Sequence, residues 1–336
     1  MMRREMAIDA AHAGRRVDAV LRSLLPGVPH AELCRWLRKG FVRGNGRRLG
    51  TDERLAEGDL LALPAWSERE SAADDARSHR RLPPPDLRYQ DDDLLVAYKP
   101  AGLASHPGIG HDQDSLSARL AAHVACAPGC KVGLAQRLDA GVSGLIPCGT
   151  HPAALKALMG PPHGPPLLKL YVALVAGRVA QGAGHIRLPL RNTDQPRGDS
   201  PKVVVDRLAG VPAHSQFVVA RAGRDRSLLV LRLHTGRTHQ IRAHLRAIGH
   251  PLLGDPRYGH AADNERAWQT YGVARPLLHA GWLRLWQPMR PGQEITVQAP
   301  VPVDLCRPAG PLCEAGESVV DGSVLAALDV GRSNSA

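Results

Sequence analysis

The residue of this chain best suited to chemistry is an acid, Asp139. It lies in the stretch of residues 134–149, which reads LAQRLDAGVSGLIPCG. An aspartate close to a glycine is typical of a turn. The small residues Ala140 and Gly141 would let a bulky substrate come close to the carboxylate. Taken alone, the pattern also fits an ordinary surface turn, so a second signal is needed.

That second signal is residues 228–259, which read LLVLRLHTGRTHQIRAHLRAIGHPLLGDPRYG. The apolar spacing predicts a strand at 227–233 and a helix over about 238–248 that ends at Gly249. The residues Ile241, Leu245 and Ile248 form the buried stripe of this helix. Arg242 stands at the edge of that stripe, so the helix could present a guanidinium close to the core.

Together the two stretches resemble the RluA family of pseudouridine synthases. The family signature H-R-L-D-x-x-T-S-G corresponds to residues 136–144, and its G-R-T-H-Q-I-R-x-H is intact at residues 236–244. Further matches are K-P-A-G at 99–102, K-L-Y-V-A-L-V at 169–175 and L-H-A at 278–280. The resemblance extends from about residue 87 to about residue 302.

The resemblance implies an enzyme that isomerises uridine to pseudouridine in RNA. The bond from the ribose to N1 of uracil breaks, the base turns, and the sugar is rejoined to C5. By the family match, Asp139 is the carboxylate beside this bond, either as a nucleophile or as a base on the sugar. Arg242 is its expected partner, because a guanidinium favours the ionised carboxylate and can hold it in a fixed orientation.

Two more side chains are assigned by the same match. Tyr171 corresponds to the active-site tyrosine, whose ring can stack on uracil and whose hydroxyl could assist proton removal at C5; the alternative is a plain core residue. Arg137 is expected to hold RNA or fill the gap left by an extruded base; the alternative is a structural salt bridge. We interpret four other matching residues as framework, and they are Lys99, His239, Asp255 and His279.

The signature is altered at two positions. Gln136 replaces its histidine and Val142 its threonine, and Pro147-Cys148 is expected to interrupt the following strand. Valine lacks a hydroxyl that could steady the loop, whereas glutamine still donates hydrogen bonds. None of these changes replaces Asp139, Arg242 or Tyr171, so we expect an active enzyme. The two departures leave open a lower rate or an altered activity.

Composition agrees with a nucleic-acid partner. The 336 residues carry 43 Lys and Arg against 32 Asp and Glu, a formal net charge of +11. Such a balance favours nucleic acid first and an anionic membrane surface second. No apolar run reaches the roughly 20 residues of a membrane span, and no signal peptide is evident. We expect a cytoplasmic monomer that does not bind membranes.

No cofactor is predicted. The sequence contains no P-loop, G-x-G-x-x-G or H-E-x-x-H motif, which argues against a nucleotide or metal cofactor. Of the six cysteines, Cys126 and Cys130 lie close together, but no second pair completes a zinc site. Free, reduced thiols are therefore expected throughout.

Residues 14–65 form a predicted N-terminal unit of two helices and short strands around an Asn45-Gly46 turn. Its pattern R-x-D-x-x-L…R-K-G-x-V-x-x-N-G…G-D resembles the S4 RNA-binding domain. Its basic side chains could contact phosphates, although solvated helix charges are the alternative. The residues of this predicted surface are Arg16, Arg35, Arg38, Lys39 and Arg43.

We therefore predict an α+β protein. An S4-like domain at 14–65 and a linker at 66–86 precede a catalytic domain at 87–306 with a mixed, largely antiparallel sheet flanked by helices, and residues 307–336 form a flexible tail. The S4-like unit, with the run GVPHAELCRWLRKG at residues 27–40, most resembles the large-subunit rRNA synthases of this family, which implies 23S ribosomal RNA as the substrate. The alternatives are a synthase acting on tRNA or other rRNA, and a non-catalytic RNA-binding or ribosome-assembly factor.

Overall fold

The computed structural model divides the chain into two compact units, Met1–Arg81 and Leu82–Ala336. The unit boundary falls inside the predicted linker, of which residues 66–81 lie outside the described part of the chain. The described residues are 3–25, 28, 30–50, 53–64, 82–107, 114–124, 132–160, 167–193, 202–290, 292–314 and 318–330.

In its described residues, the first unit packs two helices on a four-stranded sheet of order β1-β4-β2-β3. Its turn at Asn45-Gly46 has positive φ at both residues, as a tight hairpin turn of this type requires. Strand β1 was not predicted, so the unit begins before residue 14; β1 pairs antiparallel with β4 along its full length. The elements are β1 Arg3–Ala7, α1 Val17–Leu24, α2 His30–Lys39, β2 Arg43–Gly44, β3 Arg47–Arg48 and β4 Leu60–Pro64.

The second unit is built on a ten-stranded sheet, whose main path is β10-β13-β14-β9-β15-β8-β6-β5; β16 adds to β15, and β7 to β8. The pair β8–β15 is parallel and the neighbouring pairs are antiparallel, so the predicted mixed, largely antiparallel sheet is confirmed. Its strands and those of the small β11–β12 hairpin are β5 Asp86–Gln90, β6 Leu94–Lys99, β7 Gly133–Leu134, β8 Ser143–Gly149, β9 Leu168–Ala176, β10 Ala183–Ile186, β11 Leu190–Asn192, β12 Val203–Val205, β13 Ser215–Ala222, β14 Arg226–Leu233, β15 Leu278–Trp286 and β16 Glu294–Gln298.

Among the described residues of the second unit, six helices flank this sheet. The predicted helix over 238–248 is shorter in the structure because His239 adopts a left-handed backbone conformation. Within the described part of the chain, no helix has the length and apolarity of a membrane span. The helices are α3 Leu116–Val124, α4 Pro152–Met159, α5 Gln240–Ala247, α6 Ala261–Tyr271, α7 Val303–Ala309 and α8 Gly322–Ala327, with a 3₁₀ turn at Gly310–Leu312.

Strand β9 runs through the middle of the sheet and is covered on both faces, as its continuous apolar sequence predicts. Leu170, Val172 and Leu174 belong to one hydrophobic cluster. Tyr171 and Ala173 belong to another, which also takes in Leu138 and Val142 of the acidic loop and Ile241 of α5. The sheet core and the two functional segments therefore share one packed cluster.

The predicted flexible tail is wrong for residues 307–314 and 318–330. Val324, Leu328 and Val330 are buried in the core of the second unit, and the guanidinium of Arg232 donates to the Leu328 carbonyl at 2.7 Å. The signal was missed because these apolar residues are few and widely spaced between glycines and polar residues. Residues 331–336 lie outside the described part of the chain.

The expectation of free thiols is wrong for one pair. Cys306 and Cys313 form a disulfide between α7 and the segment that follows the 3₁₀ turn. The buried Cys148 carries a free thiol. The predicted Cys126–Cys130 proximity lies outside the described residues.

Candidate active site

The structure brings together the two residues predicted to form the centre of the site. Arg242 Nη1 donates a hydrogen bond of 2.8 Å to Asp139 Oδ2 across 103 positions of the chain. The arginine side chain is 7% exposed, whereas that of Asp139 is 27% exposed. The carboxylate is therefore oriented by a buried cation while part of it is open to a ligand.

Asp255 fixes the orientation of this arginine. Its carboxylate is fully buried and accepts two hydrogen bonds from Arg242, from Nε at 2.7 Å and from Nη2 at 2.8 Å. The ring of Tyr258 lies 4.9 Å from the guanidinium carbon. Burial opposes the charged form of Arg242, but Asp255 and Asp139 outweigh it and raise its pKa. Arg242 is therefore a cation shared between two carboxylates, a role for Asp255 that goes beyond the predicted framework.

The acidic loop is held by the segment that follows β6. The hydroxyl of Ser105 donates to the Leu138 carbonyl at 2.8 Å and accepts from the Leu138 amide at 3.0 Å. The backbone amide of Gly102 donates to the Ala140 carbonyl. The two residues on either side of Asp139 are thus both bound to one neighbouring loop, which limits the positions that its backbone can take.

Lys99 strengthens the same attachment from within the core. Its fully buried ammonium donates to the carbonyls of Pro100, Leu103 and Ala140 at 3.0, 2.7 and 3.1 Å. Burial lowers the pKa of Lys99 to about 7, and the nearby Asp139 charge opposes this shift. Three carbonyl acceptors match the three donors of an ammonium, so the predicted framework role agrees with these contacts.

His239 was predicted to be a framework residue, but its ring lies next to the Asp139 carboxylate. Its Nε2 is 3.6 Å from Asp139 Oδ2, and its Nδ1 is 3.1 Å from the hydroxyl of Tyr258. Its φ of 52° is unusual for a residue other than glycine. Burial lowers the pKa of His239, partly opposed by the Asp139 charge. A largely neutral imidazole therefore borders the carboxylate.

Tyr171 lies at the centre of β9, paired with Leu231 and Ala280. The residue is 5% exposed. Burial raises the pKa of Tyr171, and the negative charge of Asp139 raises it further. Its hydroxyl therefore stays protonated at neutral pH, and the residue belongs to the core cluster as well as to the surroundings of the acid.

Arg137 is exposed, two positions before Asp139. Its charge contributes, after burial, to the lowered pKa of His106, so the two side chains lie near each other. No salt bridge of Arg137 occurs within the described ranges. The structural salt bridge considered as the alternative is therefore not seen among the described residues, and the substrate-binding role of Arg137 stays a prediction.

The altered signature positions behave differently from one another. Val142 is buried in the main core cluster, an environment that suits its methyl groups. Both polar atoms of the Gln136 amide are buried without a hydrogen-bond partner among the described residues. The predicted interruption at Pro147-Cys148 is wrong, because β8 continues through both residues and pairs with β6 on one side.

The predicted basic surface of the first unit is only partly described. Arg16 makes two hydrogen bonds to Asp18, and Arg43 donates to the Gly46 carbonyl at 3.1 Å. The side chain of Lys39 is exposed. The side chains of Arg35 and Arg38 lie outside the described part of the structure. Two of the five residues therefore already have partners within their own unit.

Comparison with known proteins identifies relatives over almost the whole chain. The family model described as RNA pseudouridylate synthase matches residues 93–247. The chain is 32% identical over 307 residues to ribosomal large subunit pseudouridine synthase C of Escherichia coli strain K12, covering 90% of this chain and 94% of the relative. It is 31% identical over 306 residues to synthase D of Yersinia pestis, covering 89% and 91%.

Solved structures show the same fold. Human RNA pseudouridylate synthase domain containing 1 matches with a TM-score of 0.53 and 22% identity, covering 73% of this chain and 94% of that one. Human RNA pseudouridylate synthase domain containing 4 gives a TM-score of 0.51, also at 22% identity. With these relatives and this fold, the chain belongs to the RluA family of RNA pseudouridine synthases.

Proposed function

We propose that Asp139 is the catalytic carboxylate with which this enzyme isomerises uridine in RNA. The observation that carries the proposal is the shared guanidinium of Arg242, which binds Asp255 through two nitrogens and Asp139 through the third. A fork with two of its nitrogens already bound can hold the second carboxylate in one orientation. One Asp139 oxygen then faces the cation, and the other is open to the ribose.

In this proposal, Asp139 acts on the sugar while the bond between C1′ and N1 of uracil breaks. It acts either by adding to the sugar or by removing a proton from it. The released uracil turns and bonds through C5, and the proton on C5 is then lost. Because its hydroxyl is protonated, Tyr171 would serve as a stacking surface and hydrogen-bond donor rather than as a phenolate base.

Arg137 would serve substrate binding. A uridine within a paired or stacked region must be extruded, at a cost of a few kcal/mol. The exposed guanidinium of Arg137 is within the same short loop as Asp139. A planar cation at this position could offset part of that cost by stacking in the vacated place or by binding the flanking phosphate.

The proposed substrate is 23S ribosomal RNA. Support comes from the relatives, which are named as ribosomal large subunit pseudouridine synthases and align over about nine tenths of this chain. The first unit would then act as an S4-like RNA-binding domain in a cytoplasmic, monomeric enzyme. The basic net charge of +11 is consistent with a polyanionic partner.

The test is tritium release from RNA labelled at C5 of uridine. We expect wild-type enzyme to release tritium from 23S rRNA transcripts, and Asp139→Asn to release none above background while keeping its fold. Activity of Asp139→Asn equal to wild type would refute the assignment of this residue. Wild-type release from tRNA but not from 23S rRNA would refute the proposed substrate and leave the assignment of Asp139 intact.

A further inference from the structure

We propose that three histidines at one corner of the catalytic sheet bind a divalent transition-metal ion of the zinc type. His185 lies on β10, His214 immediately precedes β13, and His234 immediately follows β14. Since β13 pairs with both β10 and β14, the sheet brings these side chains together. One ring nitrogen of each residue lies within 4.8 Å of the others.

The nitrogen atoms are close to the spacing that a metal requires. A tetrahedral ion with metal–nitrogen bonds of ~2.0–2.1 Å separates its ligand nitrogens by about 3.4 Å. His185 Nδ1 and His214 Nε2 are 2.9 Å apart, and the rings of His214 and His234 stack with centroids 4.1 Å apart. His185 and His234 are exposed, so both can rotate towards a common ion without disturbing the core.

The hydrogen bonds around His234 leave one of its nitrogens free to bind the ion. The amide nitrogen of Gln216 donates to the Ala327 carbonyl at 3.4 Å, which turns its oxygen towards His234 Nε2 at 3.0 Å. The amide oxygen can only accept, so Nε2 carries the proton and Nδ1 keeps its lone pair. A hydrogen bond of this kind orients most metal-binding histidines.

The backbone also holds two of the ligands in a fixed relation. The His234 amide donates to the His214 carbonyl at 3.1 Å, and the His214 amide donates to the Thr235 hydroxyl at 2.9 Å. His214 and His234 are therefore already held at the same end of the β13–β14 hairpin. This lowers the conformational entropy that is lost when a metal ion binds.

Charge in this corner favours neutral ligands and selects the kind of ion. Arg187 and Arg232 lie near the rings of His214 and His234 and disfavour a positive charge on them. Neutral imidazoles are the form that binds metals. The nearby charges of Arg187 and Arg232 oppose any dication, so only an ion with a strong preference for imidazole should bind. Zinc, nickel and copper have that preference, and magnesium does not.

The test is calorimetric titration of untagged, metal-stripped, full-length protein with zinc chloride. We expect one strong equivalent in wild type. The exposed-residue variants His185→Ala and His234→Ala should each lose ~10-fold or more in affinity, the size of effect known for disturbed metal sites. The control is His260→Ala, which removes an exposed histidine paired with Asp263. It should bind like wild type, and magnesium chloride should give no binding.

A thermal scan gives a second readout that does not depend on activity. Zinc should raise the melting temperature of wild type and of His260→Ala, and should leave that of His185→Ala unchanged. Absence of zinc binding to wild type, or zinc affinities of His185→Ala and His234→Ala equal to that of wild type, would overturn the proposal. The second outcome would assign the measured binding to other histidines of the chain.

Discussion

Arg242 is the residue on which the geometry of the candidate active site depends. Removing Arg242 itself would leave two carboxylates without their counter-ion, so its variants cannot separate positioning from folding. Its partner Asp255 offers a milder change. The buried carboxylate of Asp255 determines which nitrogen of Arg242 is left for Asp139.

We predict that Asp255→Asn lowers the turnover of uridine in RNA by roughly 10–100-fold, because displacement of a catalytic group by about 1 Å has effects of this size. The asparagine can still accept one hydrogen bond from Arg242 but does not balance its charge. Single-turnover kinetics with C5-tritiated RNA measures the rate. The control is Asp114→Asn, which weakens the two-bond pair with Arg119. Equal rates for both variants would contradict the positioning role.

For Gln136 we predict a substitution that improves the protein, through a gain in stability. A buried amide without a partner costs about 1–3 kcal/mol, and methionine has a similar shape without polar atoms. Gln136→Met should therefore increase the free energy of unfolding of the second unit by about 1 kcal/mol, measured by urea titration. Gln269→Met is the matched control, because Gln269 is exposed and bound to Glu265. A loss of stability in Gln136→Met would show that the amide has a partner.

At the scale of elements, the acidic loop is placed by what lies on either side of it. Before Asp139, the Leu138 backbone is bound to Ser105. After it, β8 begins at Ser143 and runs parallel to β15, with Ala280 beside Gly144. The close approach of these two strands depends on a residue without a side chain.

We predict that Gly144→Ala destabilises the second unit by roughly 3 kcal/mol or more and lowers activity with it. Gly144 has a φ of 132°, and an added Cβ would lie 2.4 Å from the Ala280 carbonyl oxygen. The matched control is Gly249→Ala, which also has positive φ (82°) but open space around the new methyl group. Its cost should be about 1–2 kcal/mol. Thermal unfolding compares the two, and similar losses would contradict the proposed strand contact.

At the scale of the whole molecule, each unit has a hydrophobic core of its own. Each is therefore expected to fold alone. The chemistry is assigned to residues of the second unit, and the first unit is proposed to add affinity for RNA. This division predicts that the two contributions can be separated by deletion.

We predict that a protein lacking residues 1–81 keeps a folded second unit but binds 23S rRNA transcripts more weakly and with a flatter salt dependence. Each lost phosphate contact should reduce the slope of log affinity against log salt by about 0.7–0.9. Filter-binding assays at salt concentrations between about 50 and 300 mM measure this slope. Lys39→Ala in the full chain should reduce this slope by the amount expected for one phosphate contact, about 0.7–0.9. An unchanged slope after deletion would contradict a phosphate-binding role.

Much of this protein was predictable from its residues. The resemblance of the two functional segments to the RluA family implied the pairing of Asp139 with Arg242, which the structure shows. The nearly continuous apolar sequence of β9 indicated a strand covered on both faces, and the Asn45-Gly46 pair indicated a tight turn in the first unit. These inferences succeed because they rest on local periodicity, on turn chemistry and on motifs whose residues are adjacent in the chain.

Only the tertiary structure decided the rest, because it depends on contacts between residues that are distant in the chain. The sharing of Arg242 between Asp139 and Asp255, the position of His239 beside the acid, and the burial of the Gln136 amide have no periodic signal in the sequence. The same holds for the C-terminal segment, whose few apolar residues are recognisable as core only once the sheet they cover exists. The three histidines are likewise separated by 29 and 20 positions, and only the pairing of β10, β13 and β14 brings them together.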